Sequence, residues 1–114
     1  MRLDIESDDV ELTREVRTYV ELRVRDAIDH RERRVGVVAV RLWNERLPGG
    51  RAQSCCRMVA RLESGGATFA ARAGGDLWEV IDANAEELGQ LVAARLAKAT
   101  TRAGGDPARW RSEL

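Results

Sequence analysis

Residues 56–83, CRMVARLESGGATFAARAGGDLWEVIDA, contain in order a strand, a turn, a second strand and the beginning of a helix. In the first strand, predicted over residues 54–63, alternate residues from Cys56 to Leu62 are apolar, while Arg57 and Arg61 fall on the opposite side. The turn is Ser64-Gly65-Gly66, where glycine can adopt positive φ angles at no steric cost. This stretch therefore predicts an antiparallel hairpin with one apolar face.

The second strand of this hairpin is short and leads directly into a long helix. We expect the strand over residues 67–73, with Phe69, Ala71 and Ala73 facing the core. Asp76 is the predicted N-cap, because an aspartate oxygen can accept a hydrogen bond from a free N–H at a helix start. Apolar residues then recur at helical spacing to about residue 101, and the sequence AGGDP at 103–107 ends the helix.

The first half of the chain contributes one helix and two further strands. Residues 2–7 alternate polar and apolar side chains, as a half-buried strand does, and residues 12–30 carry an apolar stripe at helical spacing after an N-cap at Thr13. Residues 35–43 are rich in β-branched side chains and form the next predicted strand. The loop over 44–53 contains Pro48-Gly49-Gly50.

The predicted fold is α+β with the order β-α-β-β-β-α, a four-stranded mixed sheet with both helices packed on one face. The first two strands should be parallel and the others antiparallel. The opposite, open face of the sheet should carry Arg41, Trp43 and Arg57, with Arg72 as a further candidate. We assign residues 1–101 to this domain and residues 102–114 to a short flexible tail, which contains Trp110.

Composition limits the protein class. The hydrophobic fraction of 44% suits a folded core, and the chain contains neither an apolar run long enough to cross a bilayer nor the apolar segment of a secretory signal. We therefore expect a cytoplasmic protein. Cys55 and Cys56 are adjacent and should point to opposite sides of a strand, which predicts two free thiols with Cys56 buried and Cys55 more exposed. With His30 as the sole histidine, no metal site is expected.

The charges are balanced overall but unevenly distributed. The chain has 19 basic and 19 acidic residues, and all but one of the basic residues are arginine. Residues 1–12 contain one arginine and five acids, whereas residues 13–72 contain thirteen arginines and seven acids. Arginine binds phosphate through two parallel hydrogen bonds, so the central region is the candidate for nucleic-acid contact.

No group of residues indicates catalysis. Asp76 and Asp82 are too far apart around a helix to act on one substrate, so we interpret them as a cap and a structural polar contact. His30 has no identifiable nucleophile beside it, and the glycine pairs lack the spacing of a phosphate-binding loop. We expect neither catalytic residues nor a cofactor.

Several stretches together resemble one protein family. Residues 10–20, VELTREVRTYV, after the first strand resemble the start of hibernation-promoting factor and RaiA-type ribosome-associated translation inhibitors. Residues 75–83, GDLWEVIDA, are similar to that family's acidic N-cap, aromatic residue and Ile-Asp motif. Residues 40–45, VRLWNE, and 56–62, CRMVARL, resemble short single-domain bacterial members. The resemblance extends in order over residues 2–101.

The resemblance implies a non-enzyme that binds the small ribosomal subunit and inhibits translation in hibernating ribosomes. Family members contact ribosomal RNA through basic residues on their two helices. Carried over to this sequence, the expected RNA-binding residues are Arg14, Arg17, Arg23, Arg25, Arg95, Lys98 and Arg102. Neither a membrane nor a small-molecule substrate is expected as a partner, and a weak homodimer is left open.

A second interpretation remains open. The second helix has Glu87, Gln90 and Ala94 where the family usually has lysine or arginine, and the net charge is zero. Each missing phosphate contact weakens binding to RNA. The alternative is a protein-interaction or regulatory module with the same fold that has lost strong RNA binding.

Overall fold

A computed structural model describes residues 1–104, with side chains up to Lys98. The predicted element order is confirmed. The elements are β1 Arg2–Ser7, α1 Arg14–Ile28, a 3₁₀ segment Asp29–Arg34, β2 Val35–Arg46, β3 Ala52–Leu62, β4 Ala67–Gly74 and α2 Leu77–Gly104. Arg102 lies in α2, but its side chain is outside the described part, as are Trp110 and most of the predicted tail.

The four strands form one mixed sheet in the order β1-β2-β3-β4. β1 pairs with β2 in parallel, as the crossover through α1 requires, and the remaining pairs are antiparallel. Val40 lies beside Ile5 on one side and Met58 on the other, and Met58 lies beside Ala70. All four residues belong to the sheet face that the helices cover.

The core lies between this face and the two helices. α1 contributes Val16, Val20, Val24 and Ile28, which recur at four-residue steps and are all buried. The apolar stripe of α2 packs beside them, with Ile81, Leu88 and Val92 fully buried, against Val38, Val40, Leu42 and Met58 of the sheet. Because all these side chains form one cluster, both helices must lie on the same face.

Side chains cap the starts of both helices as predicted. The Thr13 hydroxyl accepts a hydrogen bond of 3.1 Å from the Val16 N–H, and the Asp76 carboxylate accepts one of 2.9 Å from the Trp78 N–H. α1 is shorter than its predicted range because Asp29 adopts a φ of 57°, which ends the α-helix ahead of the 3₁₀ segment. β2 extends beyond its predicted end, to Arg46.

The predicted orientation of β4 is wrong. Phe69 is 57% exposed on the open face, Ala71 and Ala73 are also exposed, and Ala70 is the buried residue. The register explains this, because Ala70 lies beside buried Met58 and Phe69 beside Val59. α2 runs so close to β4 that a Cβ added at Gly74 would lie 3.1 Å from a Val80 methyl group, so the covered side of β4 has room only for small residues near this point.

Two further sequence predictions are wrong, namely the orientation of Arg72 and the exposure of Cys55. Arg72 is not on the open face, because its Nε donates to a Glu87 carboxylate of α2 at 2.9 Å. Cys55 and Cys56 are free thiols as expected, but both are buried. Cys55 does face away from the helices, and its neighbours in the sheet are Trp43 and Ala73. The large Trp43 side chain beside it explains how a thiol on the open face is kept from solvent.

The two helices approach each other closely at Gly89. A Cβ atom there would lie 2.6 Å from the Ala27 carbonyl oxygen and 3.0 Å from the Ala27 Cβ. Glycine at this position therefore sets the distance between the helices. Within residues 1–104, neither helix is apolar enough over a sufficient length to cross a membrane.

Candidate nucleic-acid interface

Arg14 and Arg17 lie at the start of α1, within the first turn and a half after the Thr13 cap. Both side chains are exposed. Among the described residues, no carboxylate forms an ion pair with either of them. Their guanidinium groups are thus available to an external anion.

Arg23 instead belongs to a cluster that joins the two helices. Its Nε donates to an Asp82 carboxylate oxygen at 2.8 Å, and the Tyr19 hydroxyl donates to the same oxygen at 2.6 Å. A second, longer ion pair of 3.4 Å joins Arg23 to Asp26. The Trp78 ring packs edge-on against Tyr19, with 4.9 Å between the ring centres. Asp82 is therefore a structural polar contact, as the sequence indicated.

This cluster also changes the acidity of Tyr19. The hydrogen bond to Asp82 raises the pKa of Tyr19, because loss of the phenol proton would place two negative charges side by side. Arg23 opposes the rise. The cluster is therefore stable at neutral pH with the phenol protonated.

Arg25 is also held by neighbouring acids. It forms ion pairs with Glu21 at 3.4 Å, one turn earlier on α1, and with Glu32 of the 3₁₀ segment at 3.3 Å. An RNA phosphate would have to displace these carboxylates. The sequence did not predict that Glu32 pairs with Arg25, because Glu32 lies after the end of the predicted helix.

On α2, Arg95 and Lys98 lie far from the basic residues of α1. The guanidinium of Arg95 reaches the hairpin and donates to the Ala67 carbonyl oxygen at 3.0 Å. The helices run side by side in the same direction, since Tyr19 contacts Trp78 and Ala27 approaches Gly89. Lys98 therefore lies roughly 30 Å along the axis from the Tyr19–Trp78 contact, at about 1.5 Å per residue. The predicted residues thus lie along the whole length of the helix pair, with Arg23 and Arg25 between its two ends.

The helix groove between these ends has mixed charge. It encloses about 420 Å³ above Ala27, Gly89 and Ala93, and its sides carry Arg23, Arg31, Asp26, Glu86 and Gln90. A groove that holds two arginines and two acids does not present a continuous positive surface. Among the described residues, no cluster of histidine, cysteine and acidic side chains could hold a metal ion.

The open sheet face is a second candidate surface, which we define as Arg41 and Trp43 of β2, Arg57, Val59 and Arg61 of β3, and Phe69 of β4. Asp4 and Glu6 of β1 border it beside Arg41. The sequence predicted the positions of Arg41, Trp43 and Arg57 but placed Phe69 on the other face. The register of the β3–β4 hairpin would have revealed it, since Phe69 must share the side of Val59.

Comparison with known proteins gives a clear result for the fold. No family model and no curated protein matches the sequence. The structure is similar to that of a ribosomal subunit interface protein from Coxiella burnetii, with a TM-score of 0.73 and 13% identity, over 85% of this chain and 99% of the other. It is also similar to the N-terminal domain of Protein Y from Thermus thermophilus, with a TM-score of 0.64 and 18% identity, over 83% of this chain and 99% of the other. These neighbours confirm, for the fold, the resemblance to the hibernation-factor family drawn from the sequence.

Proposed function

We propose that this protein is a cytoplasmic, non-catalytic factor that binds the small ribosomal subunit and inhibits translation in hibernating ribosomes. The observation that supports the proposal most strongly is its similarity, over nearly the whole of the other chain, to a structure described as a ribosomal subunit interface protein. The stretches at residues 10–20 and 75–83, which resemble the hibernation-factor family, support it independently.

The predicted basic residues would contribute unequally to this binding. Arg14, Arg17 and Lys98 are exposed and have no ion-pair partner among the described residues, so they can bind phosphate without first losing one. Arg23, Arg25 and Arg95 are already hydrogen-bonded within the domain and would have to give up these contacts to bind phosphate. Arg102 completes the proposed set.

Because the binding would rest on phosphate contacts, its affinity should depend on the salt concentration. Three phosphate contacts would reduce the affinity on the order of tenfold to a hundredfold between 50 and 200 mM salt. The test is cosedimentation with purified small subunits at 50 mM salt, comparing the wild type with the double variant Arg14→Glu, Arg17→Glu. We expect the variant to bind at least tenfold more weakly.

The matched control is Arg46→Glu with Arg51→Glu, which makes the same change of charge in and beside the loop between β2 and β3. It should bind like the wild type. Equal binding by both double variants would place the interface elsewhere than α1. Circular dichroism should verify that both double variants are folded.

A second candidate function is supported by the mixed charge of the helix groove. A protein-interaction or regulatory module with this fold would accommodate Asp26 and Glu86 beside Arg23 and Arg31 without electrostatic penalty. Absence of wild-type binding to small subunits at 50 mM salt would favour this alternative.

A further inference from the structure

We propose that the open sheet face binds single-stranded RNA, as a site distinct from the helix surface of the proposed function. The first observation is the exposure of Phe69, which is 57% accessible although its neighbours in the sheet are largely apolar. An exposed aromatic ring between arginines is a typical platform for an unpaired base.

The order of side chains along this face carries the proposal. Along β3, the residues on the open face are, in order, Cys55, Arg57, Val59 and Arg61. Trp43 of β2 lies beside Cys55, and Phe69 of β4 lies beside Val59. Aromatic and basic groups therefore alternate as Trp43, Arg57, Phe69, Arg61, at steps of two residues or about 6.8 Å. A single strand of RNA has the same alternation, since each nucleotide carries one base and one phosphate.

Two hollows lie on the sheet surface beside this row. One hollow of about 280 Å³ is lined by Asp8, Arg41, Trp43 and Arg57. A second, of about 380 Å³, extends past Val59 to Arg61, again includes Arg41 and Arg57, and has Asp4 and Glu6 on its β1 side. Arg41 and Arg57 therefore border both hollows.

Charge selects the side of the face on which the strand would lie. Arg41 is paired with Asp8 at 2.8 Å, and Asp4 is paired with Arg2 at 3.2 Å. Glu6 also lines the hollow beside Arg41, so the β1 side is acidic and would repel phosphate. Among the described residues, no carboxylate pairs with Arg57 or Arg61. The phosphates would thus bind over β3, with the bases directed to Phe69 and Trp43.

The contact between Arg57 and Phe69 orders part of the site in advance. The guanidinium carbon lies 5.0 Å from the ring centre, within the range of a cation–π interaction. Arginine in this position can keep its contact with the ring and donate from its edge to a phosphate. An acidic peptide would satisfy the arginines but would leave the aromatic rings without partners, which is why RNA is the better fit.

The test is fluorescence anisotropy with fluorescein-labelled U₈ RNA at 25 mM salt. We expect wild-type binding with a log–log salt slope of about −1.4, the value for two phosphates on a single strand. Phe69→Ala should weaken binding roughly tenfold by loss of one stacked base. Arg57→Glu with Arg61→Glu should abolish it. Thermal unfolding should show that both variants are folded, since all three residues are exposed.

The control for this site is Arg14→Glu with Arg17→Glu, which should bind U₈ like the wild type even where it loses the ribosome. The proposed function and this inference can therefore fail separately. No binding of U₈ by the wild type, equal loss in the α1 variant, equal affinity for a blunt RNA duplex, or unchanged binding by Phe69→Ala would each overturn the inference. If polyglutamate at an equal concentration of charges displaced U₈ completely, the open sheet face would be a binding site for an acidic protein instead.

Discussion

Asn84 is the only buried polar residue in the part of the chain that the structure describes. Its amide lies near enough to the Cys56 thiol to favour the thiolate, yet neither polar atom of the side chain makes a hydrogen bond of normal geometry with another described residue. Burying an amide without partners costs about 1–3 kcal/mol. The core therefore contains one group that opposes folding.

We expect Asn84→Ala to raise the free energy of unfolding by about 1 kcal/mol. Removal of the unpaired amide and the better helix propensity of alanine both favour the folded state, and they outweigh the small cavity that remains. Urea unfolding measures the difference. The control is Asn84→Asp, which buries a charge at constant size and should destabilise the protein strongly. If Asn84→Ala also lost stability, the expectation would be wrong, and a hydrogen bond between the amide and the Cys56 thiol would explain the loss.

The helices of this fold are held together by a close backbone approach at one end and a polar cluster at the other. Gly89 lies against Ala27 without room for a methyl group. About two turns earlier on α2, Asp82 accepts hydrogen bonds from Tyr19 and Arg23 of α1. Since these are different kinds of contact, they fix both the distance between the helices and their axial position.

Gly89→Ala tests the close approach directly. Alanine is normally preferred over glycine in a helix by about 1 kcal/mol, but here the added methyl group must push the helices apart. We expect a net loss of about 1–2 kcal/mol in the free energy of unfolding. The exposed Ala94→Gly on the same helix gives the propensity effect alone, and stabilisation by Gly89→Ala of similar size would contradict the predicted clash.

At the scale of the whole molecule, several groups oppose ionisation in alkaline solution. Burial raises the pKa of Cys56 from 9.0 to about 11, and burial and Glu45 also raise the pKa of Cys55. The pKa of Tyr19 rises beside Asp82. In each case the unfolded chain loses its proton at a lower pH than the folded protein does.

The protein should therefore lose stability as the pH rises through the range from about 9 to about 11. Below pH 9 the Cys56 thiol is protonated in both the folded and the unfolded state, so its contribution to stability is fully present. Between about pH 9 and 11 the unfolded state loses this proton first, and the free energy of unfolding falls by up to about 1.4 kcal/mol per pH unit. Urea unfolding at pH 8, 9, 10 and 11 measures the slope. Cys56→Ala should show a shallower decline, and an unchanged slope would assign the effect to other groups.

The order of the elements can be predicted from the amino-acid sequence, because each element has its own local signal. The alternation in residues 54–63, the Thr13 and Asp76 caps and the four-residue steps of α1 depend only on neighbours along the chain. The structural role of Asp82 and the open-face positions of Arg41 and Arg57 follow from the same periodicities.

The buried side of β4 and the arginines that are free to bind an anion depend instead on contacts between elements. Phe69 is the most apolar side chain of that strand, but the register with β3 and the closeness of α2 place small Ala70 inward instead. Arg25 matches the spacing of a basic flank and Arg23 lies beside the apolar stripe, yet Glu32 and Asp82, which no local spacing connects to them, bind these two arginines. Such ion pairs depend on how the elements pack together, and the periodicity of residues within one element does not predict that packing.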